Sequence, residues 1–226
     1  MKLSVIIPTY NEAKTLPAIL RQVIAVPVDK EIIIVDDGSG DQTPSVLDMY
    51  KDNVDITILR HQRNMGKGRA IRSAINHVTG DIVIIQDADL EYDPSDYVKL
   101  IRPIEEGEAE TVYGVRTGSR HSYLRYYLGG KMLSILASFL FGQWLKDIST
   151  CYKVFKAELI HSIPFECSRF DFDFEITAKI LKRGIRIKEV PIRYYPRSFT
   201  EGKKIRWTDG IMAAWTLCKY RFAEKE

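Results

Sequence analysis

The chain has 226 residues, of which 45% are hydrophobic and 28% are charged, and its formal net charge is +3. This size and apolar content suffice for one large hydrophobic core, and no linker-like segment divides the chain. The small net charge gives no indication of a nucleic-acid-binding protein, and three cysteines without C-x-x-C spacing argue against a disulfide framework or a zinc site.

Short apolar runs alternate with helix-like segments through the first half of the chain. Strands are predicted at residues 3–7, 31–35, 56–59 and 82–85, and helices at about 13–25, 43–51 and 68–77. Apolar strands joined by helices are typical of a mostly parallel sheet that carries helices on both faces. The pattern therefore predicts an α/β fold.

Three of these strands end in polar clusters. The clusters are Pro8-Thr9-Tyr10-Asn11-Glu12, Asp36-Asp37-Gly38-Ser39 and Asp87-Ala88-Asp89. In parallel sheets, ligands bind beyond the carboxyl ends of the strands. Helix-capping turns would explain single Asp or Ser residues, but they do not explain an acid-rich set at every strand end. The clusters therefore predict a ligand site at this edge of the sheet.

The sequence IIQDADLEY at residues 84–92 places two carboxylates two positions apart at the end of an apolar strand. If the extended geometry persists, Asp87 and Asp89 point to the same side. Two such carboxylates repel each other unless a cation lies beside them, and Mg²⁺ and Mn²⁺ prefer oxygen ligands of this kind. The motif alone also fits a capped turn, so its meaning depends on the other clusters.

The longest uncharged run, residues 132–145, has 14 residues, whereas a membrane-spanning helix needs about 20. We therefore expect a buried or an interfacial helix here. Arginines, a lysine and three tyrosines precede the run, and such residues suit a bilayer interface. A core helix with a solvated basic end fits the same pattern, and both interpretations stay open.

Basic residues dominate a second segment, residues 193–206, where Glu201 is the one opposing charge. Pro196 and Gly202 predict a loop. A solvated basic loop is the general expectation for such a segment, and the alternative is a loop that binds phosphate groups.

The motifs VIIPTYNE, IIIVDDGSGDQT, NMGKGRAI and IIQDADLEYDP, in this order, resemble the family 2 glycosyltransferases of the GT-A (Rossmann-like) fold. The later motifs DISTCYKVFKAEL, FDFEITAKILKRG and IKEVPIRYYPRSFTEGKK are similar to the dolichyl-phosphate mannose synthase and polyprenyl-phosphate sugar transferase branch. The resemblance extends from Ser4 to about Arg206. It implies one domain, 1–226, with a nucleotide-sugar-binding half at about 1–115, acceptor-side helices at about 116–226, and no transmembrane segment.

The resemblance also implies roles for individual residues. Donor contacts are expected at Pro8, Tyr10, Glu12, Val35, Asp37, Asp87, Ala88 and Asp89. Asp89 and Glu91 are expected to bind Mg²⁺ or Mn²⁺, with Glu91 in a position where eukaryotic and archaeal mannose synthases have glutamine. Asp89 and Arg116 are the expected catalytic residues. The acceptor phosphate and the basic loop are expected to involve Arg116, Arg125, Arg197, Lys203 and Lys204.

The activity implied is an inverting transfer of mannose or glucose, from GDP-mannose or UDP-glucose, to a polyprenyl (dolichyl-type) phosphate. The enzyme would bind peripherally to the cytoplasmic face of a membrane, and no nucleic acid is expected as a partner. A phosphomonoester is already ionised near pH 7, so such an acceptor needs no general base. One alternative is a family 2 enzyme acting on a hydroxyl of a glycan or of another acceptor such as a protein, with Asp173 or Glu175 as its base. A non-catalytic nucleotide-sugar-binding module is a more remote one.

Overall fold

The structure is a computed structural model that describes residues 1–117, 124–166, 168, 171–197 and 207–223. For residues 124–127 and 207 it describes the backbone only. The side chains of Arg125, Lys203 and Lys204 lie outside the described residues, so their expected roles stay predictions. Cys167 also lies outside the described residues.

Within this part of the chain, seven strands form one sheet. They are β1 (Leu3–Thr9), β2 (Lys30–Asp36), β3 (Ile56–Arg60), β4 (Ile82–Ile85), β5 (Thr111–Thr117), β6 (Lys153–Lys156) and β7 (Ile187–Arg193). The helices are α1 (Leu16–Ala25), α2 (Thr43–Asp48), α3 (Lys67–Ile75), α4 (Tyr97–Glu105), α5 (Leu124–Phe141), α6 (Ala157–Ser162), α7 (Phe172–Lys182) and α8 (Trp207–Phe222). A short 3₁₀ turn, Pro94–Asp96, precedes α4.

The strand order across the sheet is β3-β2-β1-β4-β6-β5-β7. Six strands are parallel, and β6 runs antiparallel to both of its neighbours. The predicted mostly parallel α/β sheet is thus confirmed. The central strand β1 lies between β2 and β4, with Thr9 opposite Asp36 and Ile6 opposite Ile85. The carboxyl ends of these three strands therefore meet, as the polar clusters predicted.

The core is built from the apolar runs that predicted the strands. β4 is buried along its whole length, and β1 and β2 are buried over most of theirs. Strands covered on both faces have no solvent side, which explains why they read as continuous Val and Ile runs rather than alternating ones. The predicted strand bounds agree with the structure to within about two residues, which is the usual uncertainty of element ends.

The helix bounds differ more from the predicted ones. α1 begins at Leu16 rather than near residue 13, because Thr15 and a proline at the first turn set its start. The apolar run at 132–145 belongs to α5, but the helix ends at Phe141, before Gly142, whose φ is +74°. No helix of the described residues is long and apolar enough to cross a membrane.

Helices α5 and α8 pack against each other and expose large apolar side chains to solvent. Arg221 Nε donates to Leu140 O at 2.7 Å, so the carboxyl ends of the two helices lie side by side. We call their exposed residues the two-helix apolar face: Leu128, Met132, Ile135 and Phe139 on α5, and Ile211, Met212, Trp215 and Phe222 on α8. The spacing of the α5 residues, by four, three and four, places them on one side of that helix.

Candidate active site

The acidic motif begins where β4 stops. Gln86 N still donates to Ile6 O at 2.9 Å, but the backbone turns at Ala88 and Asp89, and Leu90 has a positive φ of +62°. The extended geometry does not persist, so strand alternation does not set the directions of the two aspartates. Asp87 and Asp89 instead pair with different cations.

Asp87 is paired with Lys67, the first residue of α3, which follows Gly66. Lys67 Nζ lies 2.8 Å from Asp87 Oδ1 and 3.8 Å from Asp173 Oδ2. Burial alone would raise the pKa of Asp87, but the charge of Lys67, together with hydrogen bonds from Lys67 and Cys151, lowers that pKa. Asp173 also receives the fully buried ammonium group of Lys153 at 2.9 Å. The pairs form a buried network of two lysines and two aspartates that fixes the orientation of Asp87.

Asp89 faces an arginine that is 108 residues away in sequence. Arg197 Nη2 lies 2.8 Å from Asp89 Oδ2, and Nη1 lies 3.3 Å from Glu12 Oε2. Arg197 Nε is 3.9 Å from Glu91 Oε1. We call Glu12, Asp89 and Glu91 the carboxylate cluster. Burial and the neighbouring charges of Asp87 and Glu91 raise the pKa of Asp89 to about 7, against the lowering effect of Arg197.

Two members of the carboxylate cluster accept further hydrogen bonds that hold them in place. Glu12 lies just before α1, where its backbone carbonyl accepts from Leu16 N and its carboxylate accepts from Thr15 Oγ1 at 2.8 Å. Glu91 accepts from Tyr194 Oη at 2.9 Å and from Arg197 N at 2.9 Å. An antiparallel bridge between Tyr92 and Tyr194 joins the acidic motif to the chain that follows β7.

The second strand end has a different arrangement. The Asp37 side chain is nearly buried, and its oxygens accept from Met65 N at 2.9 Å and Gly66 N at 2.7 Å. His61 Nδ1 lies 2.7 Å from Asp37 Oδ1, and its Nε2 lies 2.9 Å from Ser73 Oγ. Asp37 thus ties β2 to the segment that carries Lys67. Its role as a base ligand stays a prediction beside this observed one.

The first two strand-end loops are joined directly to each other. Asn11, which has a positive φ of +53°, donates its N–H to Ser39 Oγ and accepts from Gly40 N through its side chain, both at 2.9 Å. Asp36 accepts from Ser39 N at 3.0 Å, which is the turn role considered for it. Val35 and Ala88 are buried, so donor contacts expected there would involve their backbone atoms. Pro8 and Tyr10 remain partly exposed beside the site.

Arg116, at the end of β5, has a fixed partner. Its Nε and Nη2 each donate to an Asp147 oxygen at 2.7 Å, and its backbone N donates to the same carboxylate at 3.1 Å. The guanidinium lies 5.0 Å from the centre of the Tyr194 ring, while Tyr194 Oη binds Glu91. Arg116 therefore lies one aromatic ring away from the carboxylate cluster.

Sequence reasoning missed several of these contacts. His61 was not among the predicted site residues, but it is a partly buried bridge between Asp37 and Ser73. Tyr194 was not singled out, although it contacts both Arg116 and Glu91. No local pattern marks either residue, because each contact joins segments that are distant along the chain.

Comparisons with known proteins identify a sequence family and a fold that this chain matches. A family model described as glycosyl transferase family 2 matches residues 4–164. Among solved structures, the chain is similar to glucosyl-3-phosphoglycerate synthase from Mycobacterium tuberculosis in several complexes. The complex with UDP has a TM-score of 0.77 at 19% identity, over 99% of this chain and 81% of that chain.

Two further complexes of that enzyme match over a similar extent. The one with Mn²⁺, UDP-glucose and phosphoglyceric acid has a TM-score of 0.75 at 20% identity and covers 99% of this chain and 81% of that one. The one with Mg²⁺ and UDP has a TM-score of 0.72 at 21% identity, covering 97% and 79%. At such identities the similarity shows the fold, which is the GT-A arrangement that the motifs predicted.

Proposed function

The chain belongs to glycosyl transferase family 2, and we propose that it moves a hexose, mannose or glucose, from a nucleoside diphosphate sugar to a polyprenyl phosphate. The reaction inverts the configuration at the sugar carbon and depends on Mg²⁺ or Mn²⁺. The donor binds where β1, β2 and β4 end, and the acceptor phosphate approaches from the side of Arg116. The carboxylate cluster supports the donor part of this proposal, and the two-helix apolar face supports the acceptor part.

The chemistry of the site fits a divalent cation. Its carboxylates already surround one cation, the guanidinium of Arg197, and supply the hard oxygen ligands that Mg²⁺ and Mn²⁺ prefer. Among the described residues, no group of three or more His, Cys, Asp and Glu side chains is arranged to hold a metal ion. In this proposal, Asp89 and Glu91 would hold the ion together with the oxygens of the donor diphosphate. The ion would stabilise the charge that develops on the leaving diphosphate.

The residues around the donor have roles that need no metal. The ion pair with Lys67 keeps Asp87 charged and in place, so that its carboxylate can accept hydrogen bonds from ribose hydroxyls. Tyr10 offers a partly exposed ring for stacking on the base. The ties between Asn11 and Ser39 and between Asp37 and Gly66 hold the loops in place before the donor arrives.

The carboxylates of the acceptor half favour a phosphate acceptor over a hydroxyl acceptor, because a hydroxyl needs a general base. The two candidate bases considered for a hydroxyl acceptor are Asp173 and Glu175. Asp173 is paired with two lysines, and Glu175 is fully buried, with bonds from Tyr220 Oη at 2.8 Å and Glu166 N at 2.9 Å. A general base must reach the acceptor hydroxyl, and both groups are committed to the packing of α7. An ionised phosphate avoids this requirement.

The two-helix apolar face supports a lipid-linked acceptor. Phe139 is 86% exposed and Trp215 is 65% exposed, next to the basic side chains of Lys219 and Arg221 in the last turn of α8. Apolar and aromatic side chains bordered by basic residues match a membrane interface. A polyprenyl phosphate keeps its tail in the bilayer, so this face would bring the site to its acceptor on the cytoplasmic side of a membrane.

A second candidate function is transfer to a hydroxyl of a small phosphorylated acid. The observation that favours it is the similarity, across nearly the whole chain, to a glucosyl-3-phosphoglycerate synthase in complex with UDP-glucose and phosphoglyceric acid. The test is a direct competition. The protein is incubated with radiolabelled GDP-mannose or UDP-glucose and Mn²⁺, with either a polyprenyl phosphate in detergent or 3-phosphoglycerate. We expect a lipid-soluble labelled product. A labelled product only with phosphoglycerate would overturn the lipid assignment.

A further inference from the structure

We propose that Arg197 is the resident cation of the carboxylate cluster and competes with the divalent ion for it. In the metal-free protein, the guanidinium lies among Glu12, Asp89 and Glu91 and offsets part of their negative charge. When Mg²⁺ or Mn²⁺ binds, the guanidinium leaves the cluster. This inference rests on the proposed function only for the presence of the metal, and it concerns binding rather than transfer.

The contacts of Arg197 are those of a cation in a binding site. Its side chain is 16% exposed, and its two terminal nitrogens reach carboxylates from two different strand-end loops, Asp89 at 2.8 Å and Glu12 at 3.3 Å. Glu91 contributes a third carboxylate at 3.9 Å from Nε. Three negative charges around one positive charge leave an excess of negative charge in a partly buried place, which favours a cation of higher charge.

The fit of the guanidinium is incomplete. Arg197 Nε is buried and makes no hydrogen bond to any of the described residues, and its approach to Glu91 is beyond hydrogen-bond distance. A buried donor without a partner costs free energy, so this arrangement holds Arg197 less firmly than a fully bonded pair would. The guanidinium is therefore a cation that the cluster can exchange.

Hydrogen bonds of the backbone hold Arg197 beside the carboxylate cluster. Tyr195 N donates to Glu91 O at 2.8 Å, and Arg197 N donates to the Glu91 carboxylate at 2.9 Å. Together with the bridge between Tyr92 and Tyr194, these bonds fix the chain after β7 against the acidic motif. The position of Arg197 is thus set by the same segment that supplies the metal ligands.

The two cations exclude each other. Arg197 Nη2 takes up Asp89 Oδ2, the carboxylate expected to bind the metal, and a divalent ion beside the guanidinium would repel it. Removing the guanidinium should therefore strengthen metal binding. A residue that serves only the fold, or only the donor phosphates, would leave binding of the metal alone unchanged or weaker.

The test measures Mn²⁺ binding by isothermal titration calorimetry or electron paramagnetic resonance, without any nucleotide. Arg197→Gln should bind Mn²⁺ on the order of tenfold more tightly than the parent protein, the size of a typical coupling between two sites. Arg197→Lys, which keeps the charge, should stay closer to the parent. Arg193→Gln is the matched control, because Arg193 lies on the same segment and pairs with Asp93 and Asp96 outside the cluster. It should not change the Mn²⁺ affinity.

A chemical complementation experiment separates the guanidinium from a general change in charge. In Arg197→Ala, millimolar guanidinium chloride should weaken Mn²⁺ binding more than sodium chloride at the same ionic strength. The parent protein should show no such difference. Thermal unfolding of each variant verifies that it is folded, and an Arg197 variant that is not folded is replaced by Arg197→Met, which also removes the charge.

The outcomes distinguish this inference from the proposed function. Mn²⁺ affinity that is unchanged or lower in Arg197→Gln overturns the inference, whatever the transfer assay shows. If no variant binds Mn²⁺, both the proposed metal site and the proposed competition for it are wrong. Tighter binding in Arg197→Gln without transfer to any acceptor would support the inference and contradict the proposed function.

Discussion

Asp87 and Asp89 are two residues apart, but their environments give them opposite properties. The Lys67 ion pair lowers the pKa of Asp87, whereas burial and neighbouring carboxylates raise the pKa of Asp89 to about 7. Asp87 is therefore a charged residue in a fixed position. Asp89 lacks a fully compensating partner, which is the state expected of a carboxylate that binds an exogenous cation.

The first prediction concerns Asp89. Asp89→Asn should lower transfer by about 100-fold or more, because it removes a charged ligand near the developing negative charge. The free energy of unfolding should change by less than about 1 kcal/mol, since the substitution removes like-charge repulsion as well as the pair with Arg197. Transfer rates and urea unfolding test the two parts, and EDTA should reproduce the loss of transfer.

Asp93→Asn is the matched control for this experiment. Asp93 lies in the same segment, but its side chain accepts from Ser95 N at 3.0 Å and caps the 3₁₀ turn. It should affect stability more than transfer. Undiminished turnover in EDTA-treated, metal-free protein would remove the proposed role of Asp89.

The second prediction concerns Arg116. Arg116→Ala should reduce transfer to a polyprenyl phosphate by about 10- to 100-fold, the usual effect of losing a charge-assisted hydrogen bond to a buried group. Hydrolysis of the donor by water should fall much less, because water carries no phosphate. Both rates are measured on the same preparation with the same labelled donor.

Asp147→Asn distinguishes a direct role of Arg116 from an indirect one. This variant keeps the arginine but weakens the pair that orients it, which has two contacts of 2.7 Å. If Arg116 acts on the acceptor, Asp147→Asn should mainly raise the KM for the polyprenyl phosphate. An equal loss of transfer and hydrolysis in Arg116→Ala would place the residue on the donor side or in the fold.

At the scale of elements, the sequence predicted the strands well because burial on both faces leaves a continuous apolar run. The run at residues 82–85 is β4 itself. The ends of β1, β2 and β4 could also be predicted, since the carboxyl ends of adjacent parallel strands must meet. The turn after β4 could not, because its positive φ lies at Leu90, and leucine, unlike glycine or asparagine, does not mark such a conformation in the sequence.

The contact of Arg197 with Asp89 was beyond sequence reasoning for the same reason. Both residues were singled out, but separately, one for the metal and one for the basic loop. Nothing in the local pattern indicates that the chain after β7 returns to the acidic motif. Likewise, the apolar run at 132–145 predicted a helix but not which of its residues face solvent, because that depends on where α8 packs.

The third prediction concerns Glu31, a residue of β2 that joins this strand to β1 and to the loop before β4. Glu31 accepts from Ser4 Oγ at 2.5 Å and from Thr79 N at 2.7 Å. Burial alone would raise the pKa of Glu31, but these hydrogen bonds outweigh it and hold the pKa at about 2, compared with 4.5 for an ordinary glutamate. Because the folded pKa is lowered, the stabilisation is complete above about pH 5 and is lost as the pH falls toward 2.

Glu31→Gln should therefore lower the free energy of unfolding by about 1 to 3 kcal/mol at pH 7, after allowance for solvent screening, and by much less at pH 3. Urea unfolding of both proteins at the two pH values measures the difference. Glu108→Gln, which removes an exposed pair with Lys188, is the control and should have little effect at either pH. An equal difference at both pH values would exclude the proposed ionisation.

At the scale of the whole molecule, the fold presents two surfaces that the proposed reaction would use. The strand ends present carboxylates and the loops tied to them, and α5 and α8 present the two-helix apolar face. Arg116 lies beside the first of these surfaces, since β5 pairs with β7 and the chain after β7 carries Tyr194 and Arg197 to the cluster. The proposed lipid acceptor would explain why one protein carries both surfaces, because its phosphate is charged and its tail is apolar.

The last prediction is that the two-helix apolar face binds a membrane surface. Phe139→Ser combined with Trp215→Ser should weaken binding to anionic vesicles by about tenfold or more, because each partly inserted aromatic side chain contributes on the order of 1 kcal/mol. The control is Met49→Ser combined with Val54→Ser. These residues are 70% and 96% exposed but belong to the distant segment around α2 and should not affect binding. Sedimentation with phosphatidylserine-containing and neutral vesicles, at low and high salt, measures the affinity.

Basic residues near an anionic surface contribute about 1 kcal/mol each, so salt should weaken the binding without abolishing the part that depends on Phe139 and Trp215. If the parent protein stays in the supernatant under all four conditions and uses a short water-soluble acceptor as well as a long one, the lipid-phosphate proposal is wrong, because neither the face nor the tail then contributes to the reaction.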